Sequence, residues 1–172
     1  MAFTFVTDNA SLNQALFRVT HGLYIVTAKS SDRINGQCLD ALMQVTNAPP
    51  RMTIGIGVRS LTHEMIAESG RFAVSVLDRT HADTADVIRR FGFQSGREVD
   101  KFADFPHDAT EHGIPYLQGA VAVYECTVIP EMTVDLGTHS LFVATVDRAG
   151  TRDNGEPLTY NEYRKRIMKG VR

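Results

Sequence analysis

Two long valine-rich runs, Ala120 to Pro130 and Val134 to Arg148, are separated only by Glu131-Met132-Thr133, and they constrain the fold more than any other feature of the chain. A parallel pair needs a crossover of a dozen residues or more, so runs this close together predict an antiparallel pair. Gly137 is placed to form a bulge in the second run. Upstream, Gly22 leads into Leu23 to Ala28, rich in β-branched and aromatic residues, and Ser30-Ser31-Asp32-Arg33 turns the chain into Ile34 as a hairpin. Met52 to Val58 alternates as a strand whose Gly55 and Gly57 let something approach the backbone, and Phe72 to Leu77 is again strand-like.

The helical signals between these runs are short. Val6 to Arg18 has Asp8 or Ser11 as N-cap and ends near His21-Gly22; a second helix starts at Ser60 or Thr62 and ends at Gly70. Thr80 to Phe91 reads as a third, and Thr159 to Lys169 as a basic tail helix with the Thr159-x-x-Glu162 spacing of a capping box. Helices that interrupt runs of strands, instead of alternating with them, favour an antiparallel barrel over a doubly wound parallel sheet. The predicted fold is therefore mainly β with α additions. No repeat or linker divides the 172 residues, a length that suits one domain.

Composition excludes several roles. A formal net charge of −2 with acids and bases interspersed lacks the basic stripe of a nucleic-acid binder. No apolar stretch reaches the length of a membrane span, and the start lacks a basic segment followed by an apolar run, so a cytoplasmic protein is expected. Cys38 and Cys126 are too few for a disulfide framework and have no zinc spacing, which leaves them as buried free thiols.

Single motifs carry little. Gly55-Ile56-Gly57-Val58-Arg59-Ser60 begins like a dinucleotide fingerprint, but Ser60 replaces the third glycine and the run lies within a strand. His63-Glu64 has Ala67 where a zinc protease needs its second histidine. His107 and His112 lie among acids in an irregular stretch with no spacing that enforces convergence. That stretch, Phe91 to Pro115, is long for a compact domain and reads as a ligand-covering loop.

Taken together, five blocks are informative: Ile34-Asn35-Gly36-Gln37, Gln44 to Pro50, Leu61 to Leu77, Phe91 to Phe102 and Leu136 to Val143. In this order they resemble the flavin reductase-like, FMN-binding split-barrel family, and Leu158 to Arg164 is similar to the tails of flavoredoxins and of flavin domains fused to rubredoxin. The resemblance implies a Greek-key-like antiparallel split β-barrel, FMN as cofactor, a homodimer with sites near its interface, and NADH or NADPH as electron donor. Two other readings stay open: a flavoredoxin-like carrier that exchanges electrons with a protein such as rubredoxin and uses no nicotinamide, and a ligand-binding module whose site has decayed.

A flavin phosphate needs backbone N–H groups, hydroxyls and a cation, which Arg59, Ser60 and Thr62 supply at a helix start. The ring needs an apolar slot with polar edges, for which Leu42, Gln44 and Thr46 and, from the irregular stretch, Phe93, Ser95 and Gly96 are the candidates. Thr62 serves equally as a helix cap and Ser95-Gly96 as a turn. His139 is the expected catalytic group, an imidazole able to donate to the flavin edge or place a nicotinamide, although a lone histidine on an apolar strand is more often structural. Lys101 either stabilises negative charge on the reduced ring or is solvated.

One pair departs from the family pattern. Asp40-Ala41 stands where relatives of this subgroup commonly carry Asn-Thr, so a hydroxyl donor is lost and a carboxylate faces the phosphate region. Restoring the family-like pair with the double substitution Asp40→Asn and Ala41→Thr is expected to tighten FMN about tenfold. Equilibrium titration at low and high salt measures this, and unchanged affinity at both means that Asp40 points away from the phosphate or is already neutralised.

Overall fold

Strand β1 (Tyr24–Ser30) is buried on both faces: Val26 and Ala28 point into one apolar cluster and Ile25 into another. The computed structural model, which describes residues 2–167, builds the rest of the molecule around that strand. The other strands are β2 (Arg33–Leu39), β3 (Leu42–Asn47), β4 (Pro50–Gly57), β5 (Arg71–Val76), β6 (His107–Ala109), β7 (Pro115–Leu117), β8 (Ala122–Val128), β9 (Val134–Asp135) and β10 (His139–Thr151). The helices are α1 (Asn9–Leu16), α2 (Leu61–Ser69) and α3 (Thr84–Phe93), followed by a C-terminal turn Tyr160–Glu162 that continues as a π-helical turn, Tyr163–Ile167.

All pairs in the main sheet are antiparallel, in the order β2-β1-β5-β8-β10-β4-β3, with β9 added against the start of β10. The two ends of this order, β2 and β3, are consecutive in the chain and joined by Asp40-Ala41. The sheet therefore curls into a split barrel whose last seam is closed by connectivity alone. Alternation fills its lumen: Met52, Ile54 and Ile56 from β4 meet Phe142 and Ala144 from β10, while Gly55, Gly57, His139 and Leu141 take the outer positions of the same strands.

Helix α2 plugs one end of the barrel with Leu61, Met65 and Ile66, each side chain contributing about 1.5–3 kcal/mol by its burial. Its start is capped by the Ser60 hydroxyl, which accepts from His63 N at 3.1 Å, and its end by Gly70 at φ 67°. Helix α3 lies outside the barrel, where Val87, Ile88 and Phe91 pack with Ile25, Leu77 and Phe102 in the second cluster.

Several expectations shift. Gly137 (φ 79°) makes a turn between β9 and β10 instead of a bulge, and the bulge in β10 falls between Val146 and Arg148. Thr80 does not begin α3, because Asp78 Oδ1 takes both its N–H and its hydroxyl and holds it in a turn. Strand β3 is extended although its only half-buried residue is Leu42, so no alternation announces it. The expected loop from Phe91 to Pro115 contains the end of α3, β6 and the first residue of β7. Thr159 caps the tail as a capping box, but the helix is a single turn before the π-turn, and residues 168 and 169 of the expected helix lie outside the described residues.

The β6–β7 excursion is latched to the barrel wall by one carboxylate. Glu125 of β8 is 3% exposed and lies 2.8 Å from His112 Nδ1. Burial pushes its pKa up, but hydrogen bonds from Thr110 and His112 outweigh that and leave it below the ordinary 4.5. A lowered folded pKa means that the stabilisation is complete above 4.5 and is lost as pH falls through the folded value. Glu125→Gln is expected to destabilise the protein by about 1–3 kcal/mol at neutral pH and to flatten the loss of stability on acidification. Denaturant unfolding across a pH series checks it, and parallel acid limbs would refute the latch.

Candidate functional site

The start of α2 is the centre of the candidate site. The first amides of any helix have no partner within it, and the Ser60 hydroxyl satisfies only that of His63. Arg59, exposed, immediately precedes this turn. The Thr62 hydroxyl is buried and accepts from Asn35 Nδ2 of β2 at 2.9 Å, which ties the helix start to the barrel edge.

The segment after α3 closes onto the same place. Gly96 lies so near the Asn35 amide group that any Cβ there would collide with it. Arg97 Nη2 pairs with Glu64 Oε2 of α2 at 2.7 Å, and that bond together with the Arg97 charge holds the Glu64 carboxyl below its ordinary range. Ser95 forms a turn, its carbonyl accepting from the amides of Glu98 and Val99 and its hydroxyl from Arg97 N. Lys101 is not solvated: its ammonium is buried against the carbonyls of Gly36 and Phe91. Phe93, at the end of α3, is 73% exposed, and its neighbour Gly92 lies against Cys38.

The outer face of β4 forms the third wall. Ala41 packs directly over Gly55, whose N–H donates to the Ala41 carbonyl at 2.8 Å, and a Cβ on Gly55 would stand 3.3 Å from that of Ala41. Gly57 lies opposite His139, with His139 Nε2 3.7 Å from where a Cβ would stand. The other imidazole nitrogen of His139 is 2.9 Å from Thr138 Oγ1. Gly57, without a side chain beside an exposed imidazole, leaves space for a flat ring next to the helix start, so these residues fit a bound flavin.

Other predicted residues lie elsewhere. Leu42 packs toward the barrel core. Gln44 and Thr46 lie opposite Met52 and Arg51, and Arg51 stands six positions before Gly57, about 20 Å along β4. Their side chains close the β3–β4 turn: Gln44 Nε2 donates to Asn47 Oδ1 at 2.6 Å and the Thr46 hydroxyl to the Pro49 carbonyl. Asp40 has no ion pair among the described residues. Burial first, and then the Asp40 charge, push the Cys38 thiol up to about 12, so it stays protonated.

Two contributors escaped the motif search. Asn35 bonds Thr62 and abuts Gly96; it lies in the informative block Ile34 to Gln37 but not among the predicted site residues. His63, with its pKa lowered by burial, lies 2.8 Å from Ser140 Oγ and so fastens α2 to the residue after His139. Nothing in its local spacing announced that contact.

A barrel of this topology, with a helix start and a closing segment at one end, offers a cleft suited to a phosphate-bearing cofactor with a flat ring. Residues 16–169 match the family model described as flavin reductase like domain. The chain is 43% identical over 159 residues to the high molecular weight rubredoxin of Moorella thermoacetica, covering 92% of this chain and 67% of that protein. It is 36% identical over 151 residues to the NAD(P)H ferric-chelate reductase of Archaeoglobus fulgidus, covering 87% of each. The crystal structure of an FMN-binding protein from Thermus thermophilus with bound p-hydroxybenzaldehyde superposes with a TM-score of 0.72 at 27% identity, over 81% of this chain and 78% of that one. This protein belongs to the flavin reductase-like family and is a flavin-based oxidoreductase.

Gly96→Ala is expected to push Asn35 off Thr62 and to weaken flavin binding about tenfold or more, because a Cβ there meets a side chain already held by a hydrogen bond. Fluorescence titration with a parallel thermal melt measures this. Wild-type affinity would show that the closing segment does not border the flavin.

Proposed function

We propose that the protein binds FMN against the start of α2 and the bare face of β4, and passes electrons from NADH or NADPH to an acceptor as a homodimer. The observation that carries this reading is the convergence of Arg59, Ser60, Gly96, the Gly55-Gly57 face and His139 on one end of the barrel. When bound, the flavin supplies the redox chemistry, accepting a hydride equivalent. Arg59 and the first-turn amides of α2 would hold the phosphate, and Ala41, Gly55, Ser95 and Gly96 would line the ring. His139 is exposed beside Gly57 and orients the nicotinamide or donates to the ring edge.

Two observations favour the dimer. The sheet face that carries His139 also carries exposed Met43 and Val134 with half-buried Leu141 and Val143, an apolar surface of the kind a second copy would cover. In addition, Gln44 and Thr46 lie opposite Met52 and Arg51, about 17–20 Å along β4 from Gly57, which is consistent with a second copy presenting them to the flavin site. We place the protein in the cytoplasm, with both cysteines free. Among the described residues no helix is long and apolar enough to cross a membrane. The similarity to a high molecular weight rubredoxin supports the second reading, a carrier that exchanges electrons with a rubredoxin-like protein without using nicotinamide.

An absorption spectrum before and after adding FMN tests the cofactor, and NADH added without oxygen then tests the donor. Bleaching of the bound flavin by NADH or NADPH is expected; bleaching by dithionite alone selects the carrier. In the same assay His139→Ala is expected to slow reduction tenfold or more while leaving the melting temperature unchanged, since the side chain fills no core. A cooperative loss of fold would instead make His139 structural.

A further inference from the structure

A cavity lies at the far end of β10, about 30 Å along the strand from His139. The β6–β7 hairpin does not join the main sheet but stands over the ends of β8 and β10, and the space left between them is about 590 Å³. That is room enough for a small organic molecule.

The middle of this slot is flat and apolar. Gly150 of β10 lies opposite Val123 of β8, and no atom stands within 4 Å of where a Gly150 Cβ would be. Tyr116 of β7 lines the slot as well. Arg148 and Arg152 stand two positions to either side of Gly150, about 13 Å apart along the strand. They strap the hairpin down at its two ends: Arg148 Nη1 donates to Glu111 Oε2 at 2.6 Å, and Arg152 Nη2 donates to the Gln118 carbonyl.

The carboxylates of the slot are engaged. Asp108 accepts from Gln118 Nε2 at 3.2 Å, Glu111 from Arg148, and Glu125 from Thr110 and His112. The arginines have capacity left, because a guanidinium carries five N–H donors in a rigid fork and each of these uses one nitrogen among the described residues. Unspent hydrogen bonding is therefore on the donor side, at both ends of an apolar floor. With three carboxylates against two guanidiniums, the slot has little net field to draw an anion from afar, so selection rests on the geometry of the donors.

We propose that this slot is a second ligand site, which takes a flat aromatic molecule with a carboxylate at each end. The ring lies on Val123 and Gly150 beneath the hairpin, and the carboxylates accept from Arg148 and Arg152. The site is separate from the flavin site and does not depend on it. Its occupant is held between the hairpin and the sheet, so binding fastens the hairpin to the barrel wall.

The test titrates naphthalene-2,6-dicarboxylate into the full chain, with and without FMN, and follows backbone amide resonances. Saturable binding with a Kd below about 1 mM is expected, with shifts in β6, β7 and residues 148–152 and no competition from FMN. Arg148→Gln and Arg152→Gln are each expected to weaken binding about fivefold or more, and naphthalene-2,6-dimethanol, the uncharged analogue, to bind at least about tenfold more weakly than the dicarboxylate. Gly150→Phe, which fills open space, is expected to abolish binding while FMN affinity stays at the wild-type value. Failure to saturate with a Kd below about 1 mM would overturn the proposal. Displacement of the probe by FMN, or shifts confined to the end of the barrel that carries His139, would overturn it too, by placing the probe in the flavin site. Equal affinity for the dimethanol, or affinity unmoved by both arginine variants, would overturn it even if Gly150→Phe failed to fold.

Discussion

Everything in this fold depends on how the two ends of one sheet are brought together. Strands β2 and β3 never pair; Asp40-Ala41 turns the chain from one to the other, and Gly55 accepts the approach by having no side chain and by donating its N–H to Ala41. That short corner fixes the curvature of the sheet, and so decides which residues of β4 and β10 fill the lumen. It also brings the end of β2 beside the start of α2, where the candidate site is assembled.

The site is therefore built from ends of elements more than from their middles. The start of α2 offers unsatisfied amides, the end of β4 offers glycine, the start of β10 offers an imidazole, and the segment after α3 closes over them. Rigid contacts hold these ends in register: Asn35 with Thr62, Arg97 with Glu64, and His63 with Ser140. Each joins two different elements, which is why a site made of termini can still be geometrically defined.

Much of the architecture was legible in the residues themselves. Val-rich runs at hairpin spacing announced β8 and β10, Ser60 and Gly70 bracketed α2, and the Thr159 capping box marked the tail. What could not be read was governed by partners far away in sequence. Strand β3 shows no alternation because most of its surface is exposed, α3 starts late because Asp78 takes the Thr80 donors, and Gly137 turns because β9 folds back on β10. The same distinction holds for the site. The blocks around Asn35, Ser60, Gly96 and His139 were visible as a family pattern, whereas the burial of Lys101 and Thr62 follows from tertiary packing that no local spacing records.

The seam between β2 and β3 has a dynamic consequence. Elsewhere around the barrel, separating two strands means breaking a ladder of hydrogen bonds, but here there is none to break. The barrel can breathe at this line at a free energy well below that of global unfolding, with the lumen and its apolar filling undisturbed. A molecule lodged across the seam would act as the missing rung, so occupancy and local rigidity become two measures of the same event.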